Sequence, residues 1–311
     1  MSNKTTKEWT VDLPWGKVAV IAWGDSTKPP MLLVHGYMDT AATFIPLVNE
    51  LTDSHYYVAF DMPGHGKSEN FPTGQVISQI HIIEVIHRIV KFMKWDRFVY
   101  MAHSMGVVIG LFYNYVYPNK VSRMIHLDPG PPISMYYYVH HKLPFWFNYI
   151  YTEYYDSFKR WNSSEKRRYT YDDALSLVVR NRNLSEEQAE VILARSLDPV
   201  AGDKFELSWQ PSMKKISNVS VSDETLYTSL TANSPPTLVI AASESSMVGP
   251  AKSFALNILE KCQNILPNFY VVTISGGHDV HITMPEVVAE YIVKFLNYKR
   301  NKLWSMIKSK I

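Results

Sequence analysis

Phe98-Val-Tyr-Met-Ala-His-Ser-Met-Gly-Val-Val-Ile-Gly110 is an apolar run interrupted by one polar pair, His103-Ser104. The half before the pair reads as a buried strand and the half after it as an apolar helix. A serine in a sharp strand-to-helix turn projects its hydroxyl above the sheet edge, the arrangement a nucleophile elbow needs. Strand and helix backbones must then approach closely, which asks for small residues two before and two after the serine. Ala102 and Gly106 meet that demand, with alanine replacing the more usual first glycine. The helix N-terminus beyond favours negative charge developing near Ser104. A lone Ser-x-Gly would be a helix N-cap serine. The strand–turn–helix context makes Ser104 a candidate nucleophile instead.

Outward from this segment the chain alternates. Short apolar runs at Met31–Val34, Tyr56–Phe60, Met124–Leu127, Thr237–Ala241 and Phe269–Ile274 read as strands buried on both faces. Helical patterns run from Thr43 to Leu51, Val76 to Met93, Met105 to Tyr115 and Glu286 to Phe295. Trp9 to Leu13 and Lys17 to Trp23 flank a Pro14-Trp15-Gly16 turn and predict a hairpin. Strands alternating with helices predict a mostly parallel sheet with helices on both faces. The alternation stops between about Pro131 and Pro235, where no buried strand is evident. Helical stretches do occur there, notably Glu186 to Ser196, with Asn183 or Ser185 as cap. Nine of the chain's 20 tyrosines lie between Tyr136 and Tyr171. The expected organisation is a core over 1–130, a helical lid over 131–235, and the rest of the core over 236–311. The aromatic side chains either cover an apolar ligand or fill a small core of the insertion.

Three further strand ends carry polar motifs. Leu32-Leu-Val-His-Gly-Tyr-Met-Asp39 ends a strand in a glycine turn that can aim amides at the sheet edge. With the amide after the nucleophile, such a loop forms an oxyanion hole, so the backbone N–H groups of Tyr37 and Met105 are the candidate donors. His35 reads as a brace for that loop. Asp61-Met-Pro-Gly-His-Gly66 reads as a structural turn, including Asp61 and His65. Val271-Val-Thr-Ile-Ser-Gly-Gly-His-Asp-Val-His281 places His278 on a loop after the last strand, where a general base can reach a serine hydroxyl. His281 reads as a packing or solvent-facing residue. With no matching acidic or cysteine cluster in the sequence, the two histidines do not suggest a metal site.

The 311 residues hold 46% hydrophobic and 19% charged residues, which excludes a disordered chain. A net charge of +2 removes the electrostatic case for nucleic acid. The one cysteine, Cys262, cannot form an intrachain disulfide and reads as an inert packing residue. No apolar run is long enough for an integral membrane segment, and the polar start has no secretory character. The expected location is cytoplasmic. The closing Ser309-Lys310-Ile311 resembles a peroxisomal address with its last residue changed, which keeps the peroxisome as the alternative. The basic stretch Lys299 to Lys310 suggests, on few charges, contact with a membrane surface. Oligomeric state is unknown from the sequence.

Four segments together carry a resemblance: His35-Gly-Tyr-Met-Asp39, Asp61-Met-Pro-Gly-His-Gly66, His103-Ser-Met-Gly106 and Gly277-His-Asp-Val-His281. The chain resembles the α/β-hydrolase superfamily and, within it, the serine hydrolase-like proteins related to the insect kraken-type hydrolases. The resemblance runs from about Trp9 to Leu296 and is weakest in the insertion. It implies an α/β-hydrolase fold and a Ser–acid–His triad with Ser104 and His278. Relatives usually place an aspartate in the loop after the strand Thr237–Ala241, and the aligned position here is Ser245. Two carboxylates are available instead: Asp128, at the end of the preceding strand, and Glu244, beside Ser245. Their bland readings are a strand-end cap and an exposed loop charge. The expected activity is hydrolysis of an ester, or less readily an amide or thioester, with an apolar part. Serine at the elbow argues against the aspartate-nucleophile dehalogenases and epoxide hydrolases. No cofactor or metal is implied, and the expected partner is a small-molecule substrate. The substituted acid position leaves a second reading open: a non-catalytic ligand-binding protein on the same fold.

Overall fold

The structure, a computed structural model, describes residues 4–297. Ser309-Lys310-Ile311 and the basic segment Lys299 to Lys310 lie outside the described residues. Among the described residues no helix is long and apolar enough to cross a membrane.

The hairpin is formed by β1 (Thr6–Leu13) and β2 (Gly16–Trp23), paired antiparallel with Leu13 opposite Gly16. The sheet continues with β3 (Pro30–Val34), β4 (Tyr56–Phe60), β5 (Phe98–His103), β6 (Val121–Leu127), β10 (Thr237–Ala242) and β11 (Phe269–Ile274). Its eight strands lie in the order β1-β2-β4-β3-β5-β6-β10-β11. Pairing is antiparallel from β1 to β4 and parallel from there on. The apolar runs are buried on both faces because each strand feeds two cores. Leu32, Val34, Tyr100 and Ala102 join one cluster, and Met31, Leu33, Val99 and Met101 join the other. One core packs under α2 (Gln79–Phe92), α3 (Met105–Val116), α10 (Asp223–Thr231) and α11 (Gly249–Ile265). The opposite core packs under α1 (Ile45–Glu50) and α13 (Pro285–Leu296). Cys262 is fully buried, and burial pushes its thiol up to about 12, as suits an inert packing residue.

Between β6 and β10 the chain leaves the sheet. It runs through α4 (Gly130–His141), α5 (Leu143–Phe147), α6 (Glu153–Asp156), α7 (Phe158–Trp161), α8 (Tyr171–Arg182) and α9 (Glu186–Ser196). The sequence shows only helix here, but three short strands also form: β7 (Arg168–Tyr169), β8 (Leu197–Val200) and β9 (Lys204–Leu207). They are two to four residues long and largely unburied, so they carry none of the apolar signal that marks the central strands. Both cap candidates for α9 have a use. The Ser185 hydroxyl accepts from Gln188 N–H at the start of α9, and Asn183 ends α8 in the left-handed region at φ 53°.

Candidate active site

Ser104 joins β5 to α3 with φ 50° and ψ −123°, a conformation sterically disfavoured for a side chain with a Cβ. It occupies the N-cap position yet makes no side-chain capping bond, so the hydroxyl is not spent on the helix. Close packing holds the strain in place. A Cβ on Gly106 would lie 2.4 Å from the Val34 carbonyl oxygen, and one on Gly110 would lie 2.1 Å from the Tyr100 ring. The Tyr100 hydroxyl also donates to the Gly106 carbonyl at 2.7 Å. Gly106→Ala therefore forces α3 away from β3. The expected cost is about 1–3 kcal/mol of stability, read by urea denaturation.

The loop after β3 lies beside the serine. A Cβ on Gly36 would meet Ser104 Cβ at 3.1 Å. His35 braces this loop as the sequence suggests: its Nε2 accepts from Met62 N–H at 2.9 Å, and its Nδ1 lies 2.8 Å from the Gly36 carbonyl. That pattern needs a neutral ring with the proton on Nδ1, and burial lowers the His35 pKa accordingly. Tyr37 N–H and Met105 N–H donate to no protein acceptor among the described residues. Met105 opens α3, where intrahelical acceptors do not exist. Asp61 and His65 are buried in the turn after β4, away from the two strand ends that carry Ser104 and His278. Asp61 accepts from Ala41 N–H at 2.8 Å, Lys67 N–H at 2.9 Å and Arg195 Nε at 3.0 Å. Burial pulls His65 down to about 3.

His278 follows β11, and its Nδ1 lies 2.6 Å from Asp128 Oδ2. Asp128 ends β6 with φ 45° and is 1% exposed. Its second oxygen accepts from Ala242 N–H at 3.1 Å, which also makes it the cap of β10. Ser245, which the resemblance aligns with the usual acid, donates its hydroxyl to Asp128 Oδ2. The same carboxylate oxygen therefore meets both His278 and Ser245. Glu244 is exposed, and its backbone N–H donates to the Gly276 carbonyl at 2.9 Å. Its side chain makes no hydrogen bond among the described residues.

Four other groups close around the base: His103, Asp279, His281 and Arg182. His103 Nε2 lies 3.1 Å from the His278 carbonyl oxygen, and its ring centroid lies 4.2 Å from that of His281, with the two rings tilted by 39°. Burial holds His103 well below the usual histidine range and pulls His281 down to about 4, so both are neutral at pH 7. His281 Nε2 lies 2.7 Å from the Thr43 hydroxyl. The fold adds His103 to the local Asp279–His281 pair, and ligand atoms of the three lie within 4.8 Å of one another. Asp279 is already paired with a cation. Arg182, from the insertion, donates to Asp279 at 2.6 and 2.9 Å and to Asp39 at 3.0 and 3.2 Å. One guanidinium thus ties the loop of Tyr37 to the loop of His278. Arg182→Ala leaves two poorly exposed carboxylates without their cation. It should cost about 3–5 kcal/mol, measured by denaturant unfolding.

Ser104, His278, Tyr37, Asp279 and Arg182 border one cavity of about 680 Å³, roofed by Leu177 and Val178 of α8 and Ile192 and Leu193 of α9. A second cavity of about 360 Å³ shares Tyr37, Ser104 and Ser246 with it.

A strained serine at a strand–helix elbow of a mostly parallel sheet, sharing a cavity with a carboxylate-bound histidine, is the framework of one protein class. The model of the α/β hydrolase fold family matches residues 29–285, and the chain belongs to that family. It is 28% identical to a serine hydrolase-like protein of Danio rerio, over 94% of this chain and 89% of the relative. It is 22% identical to a 2-(acetamidomethylene)succinate hydrolase of Mesorhizobium japonicum, over 91% of this chain and 93% of the relative. The thioesterase domain from the curacin biosynthetic pathway superposes with a TM-score of 0.72 at 18% identity, covering 93% of this chain and all of that one.

Proposed function

We propose that the protein is a serine hydrolase that cleaves a carboxylic ester through an acyl-enzyme on Ser104. The observation that carries this reading is the 2.6 Å contact between His278 Nδ1 and Asp128 beside a serine whose hydroxyl caps nothing. Asp128 fixes the proton on Nδ1, which leaves Nε2 free to accept the Ser104 proton. Ser104 Oγ attacks the carbonyl carbon, and the negative oxygen is held by the amides of Tyr37 and Met105. His278 then protonates the leaving oxygen. Water, deprotonated by the same imidazole, hydrolyses the acyl-enzyme. The neutral His103 braces the carbonyl of His278, and Arg182 holds the two loops in register.

The insertion over 131–235 is read as a lid. Its α8 and α9 give the larger cavity an apolar roof, which suits a substrate with an apolar part. The structural likeness to a thioesterase domain keeps thioesters within the same chemistry. The ligand-binding alternative rested on the substituted acid position, and a carboxylate on His278 speaks against it.

A panel of aryl esters and thioesters, turned over by wild type and by His278→Ala, tests the proposal. The expected result is measurable kcat/KM for wild type and a loss of about 10⁴-fold or more in the variant. Folded wild-type protein that turns over none of the panel contradicts it.

A further inference from the structure

The two cavities that meet at Ser104 are not equivalent. The larger is bordered by His278; the smaller is bordered by Met105, Pro132, Ile150 and Ile216 and not by His278. Acyl-transfer stereochemistry then sorts the substrate. At the tetrahedral carbon the oxyanion points to the Tyr37 and Met105 amides. The leaving group must face His278, which hands it the proton. His278 borders the 680 Å³ cavity and not the 360 Å³ one, so the alcohol occupies the former and the acyl substituent the latter.

Gln79 lines that acyl cavity. It is the first residue of α2, 4% exposed, and its backbone N–H donates to the Ser217 carbonyl at 3.0 Å. The Ser78–His81 capping box fixes the turn around it. Its side-chain oxygen is buried, and the carboxamide has no hydrogen-bond partner among the described residues. The nearby Ser134 hydroxyl already donates to the Pro131 carbonyl at 2.7 Å. A buried amide left unsatisfied is costly, and one in the wall of a cavity that opens on the nucleophile calls for a partner supplied from outside.

Resting on the serine-hydrolase reading above, we propose that Gln79 is a specificity residue for a hydrogen-bonding substituent on the acyl chain. The substrate class is then an ester of a hydroxy-, oxo- or amido-substituted acid with a larger, apolar alcohol. A site built to hydrogen-bond one group discriminates strongly against analogues that lack it, because its own polar atoms stay unpaired.

The test holds the leaving group constant. The p-nitrophenyl esters of butyrate, α-hydroxybutyrate, β-hydroxybutyrate and β-oxobutyrate are compared by kcat/KM, which reports acylation. Wild type is expected to favour at least one substituted acid over butyrate by about tenfold or more. Gln79→Met is expected to bring that ratio close to one. Gln79→Glu, which keeps an acceptor but loses the amide donor, should retain a preference for hydroxy acids and lose any for the oxo acid. The proposal is overturned if wild type ranks all four esters alike, or if Gln79→Met keeps the preference. It is also overturned if Gln79→Met changes the ranking of alcohols at constant butyryl rather than of acids. Failure of the parent reading looks different: none of the esters is turned over and Ser104 does not react with a fluorophosphonate.

Discussion

Ser104→Ala should lower kcat by about 10⁶-fold while leaving the fold intact. The effect is large because serine and histidine act as a unit, and removing either leaves only binding and oxyanion stabilisation, roughly 10³–10⁴ over water. Stability should hold or rise slightly. The Ser104 hydroxyl makes no capping bond to lose, and alanine adopts φ 50° no worse than serine does. The measurement is kcat on an aryl ester beside a urea melt. A fall in activity that accompanied unfolding would point to a structural serine.

Asp128→Asn is expected to lower kcat by about 10⁴-fold. Three donors converge on this carboxylate: Ala242 N–H at 3.1 Å, the Ser245 hydroxyl, and His278 Nδ1 at 2.6 Å. An asparagine has one acceptor oxygen. Turned toward His278, it sets its NH₂ against the Ala242 N–H, donor to donor. Turned the other way, its NH₂ faces Nδ1 and selects the tautomer that puts the proton on Nε2, where it blocks the serine. The clash disfavours the first orientation and the second holds the base in the wrong tautomer, all without removing a buried atom. Ser245 supplies a second arm of this prediction. Asp128→Asn/Ser245→Asp puts a carboxylate on the neighbouring loop, at a residue whose side chain already reaches the oxygen that His278 meets, and should recover part of the lost activity. Glu244→Gln, a change at an exposed residue with no side-chain hydrogen bond, should leave kcat within a few fold of wild type. A collapse in Glu244→Gln with activity retained in Asp128→Asn would reverse the assignment of the acid.

How much of this was legible in the sequence depends on how local each feature is. β5 and the elbow could be read directly because strand, turn and helix are contiguous, and the packing that strains Ser104 is written in Ala102, Gly106 and Gly110. The other central strands showed as apolar runs because both faces are buried. The acid could be narrowed to two residues and no further. Asp128 meets His278 across 150 residues of chain, and the contact depends on a positive φ and on the ends of β6 and β10 lying side by side. Arg182 gave no signal. Its partners are 97 and 143 residues away, and a lone arginine near the end of a polar helix reads as a solvated charge. Gln79 was hidden for a related reason, since the first turn of a helix is ordinarily its most solvated part. Of the three short strands of the insertion only Lys204–Leu207 alternates, over just four residues, and Pro199 sits within another.

The most direct measurement is intact-mass analysis after treatment with a fluorophosphonate, on wild type, Ser104→Ala and His278→Ala. An activated serine in an assembled triad predicts one adduct on wild type, mapped by peptide digestion to Ser104, with none on Ser104→Ala and little on His278→Ala. Folded wild-type protein that takes up no adduct, or an adduct that persists in Ser104→Ala, would contradict the account.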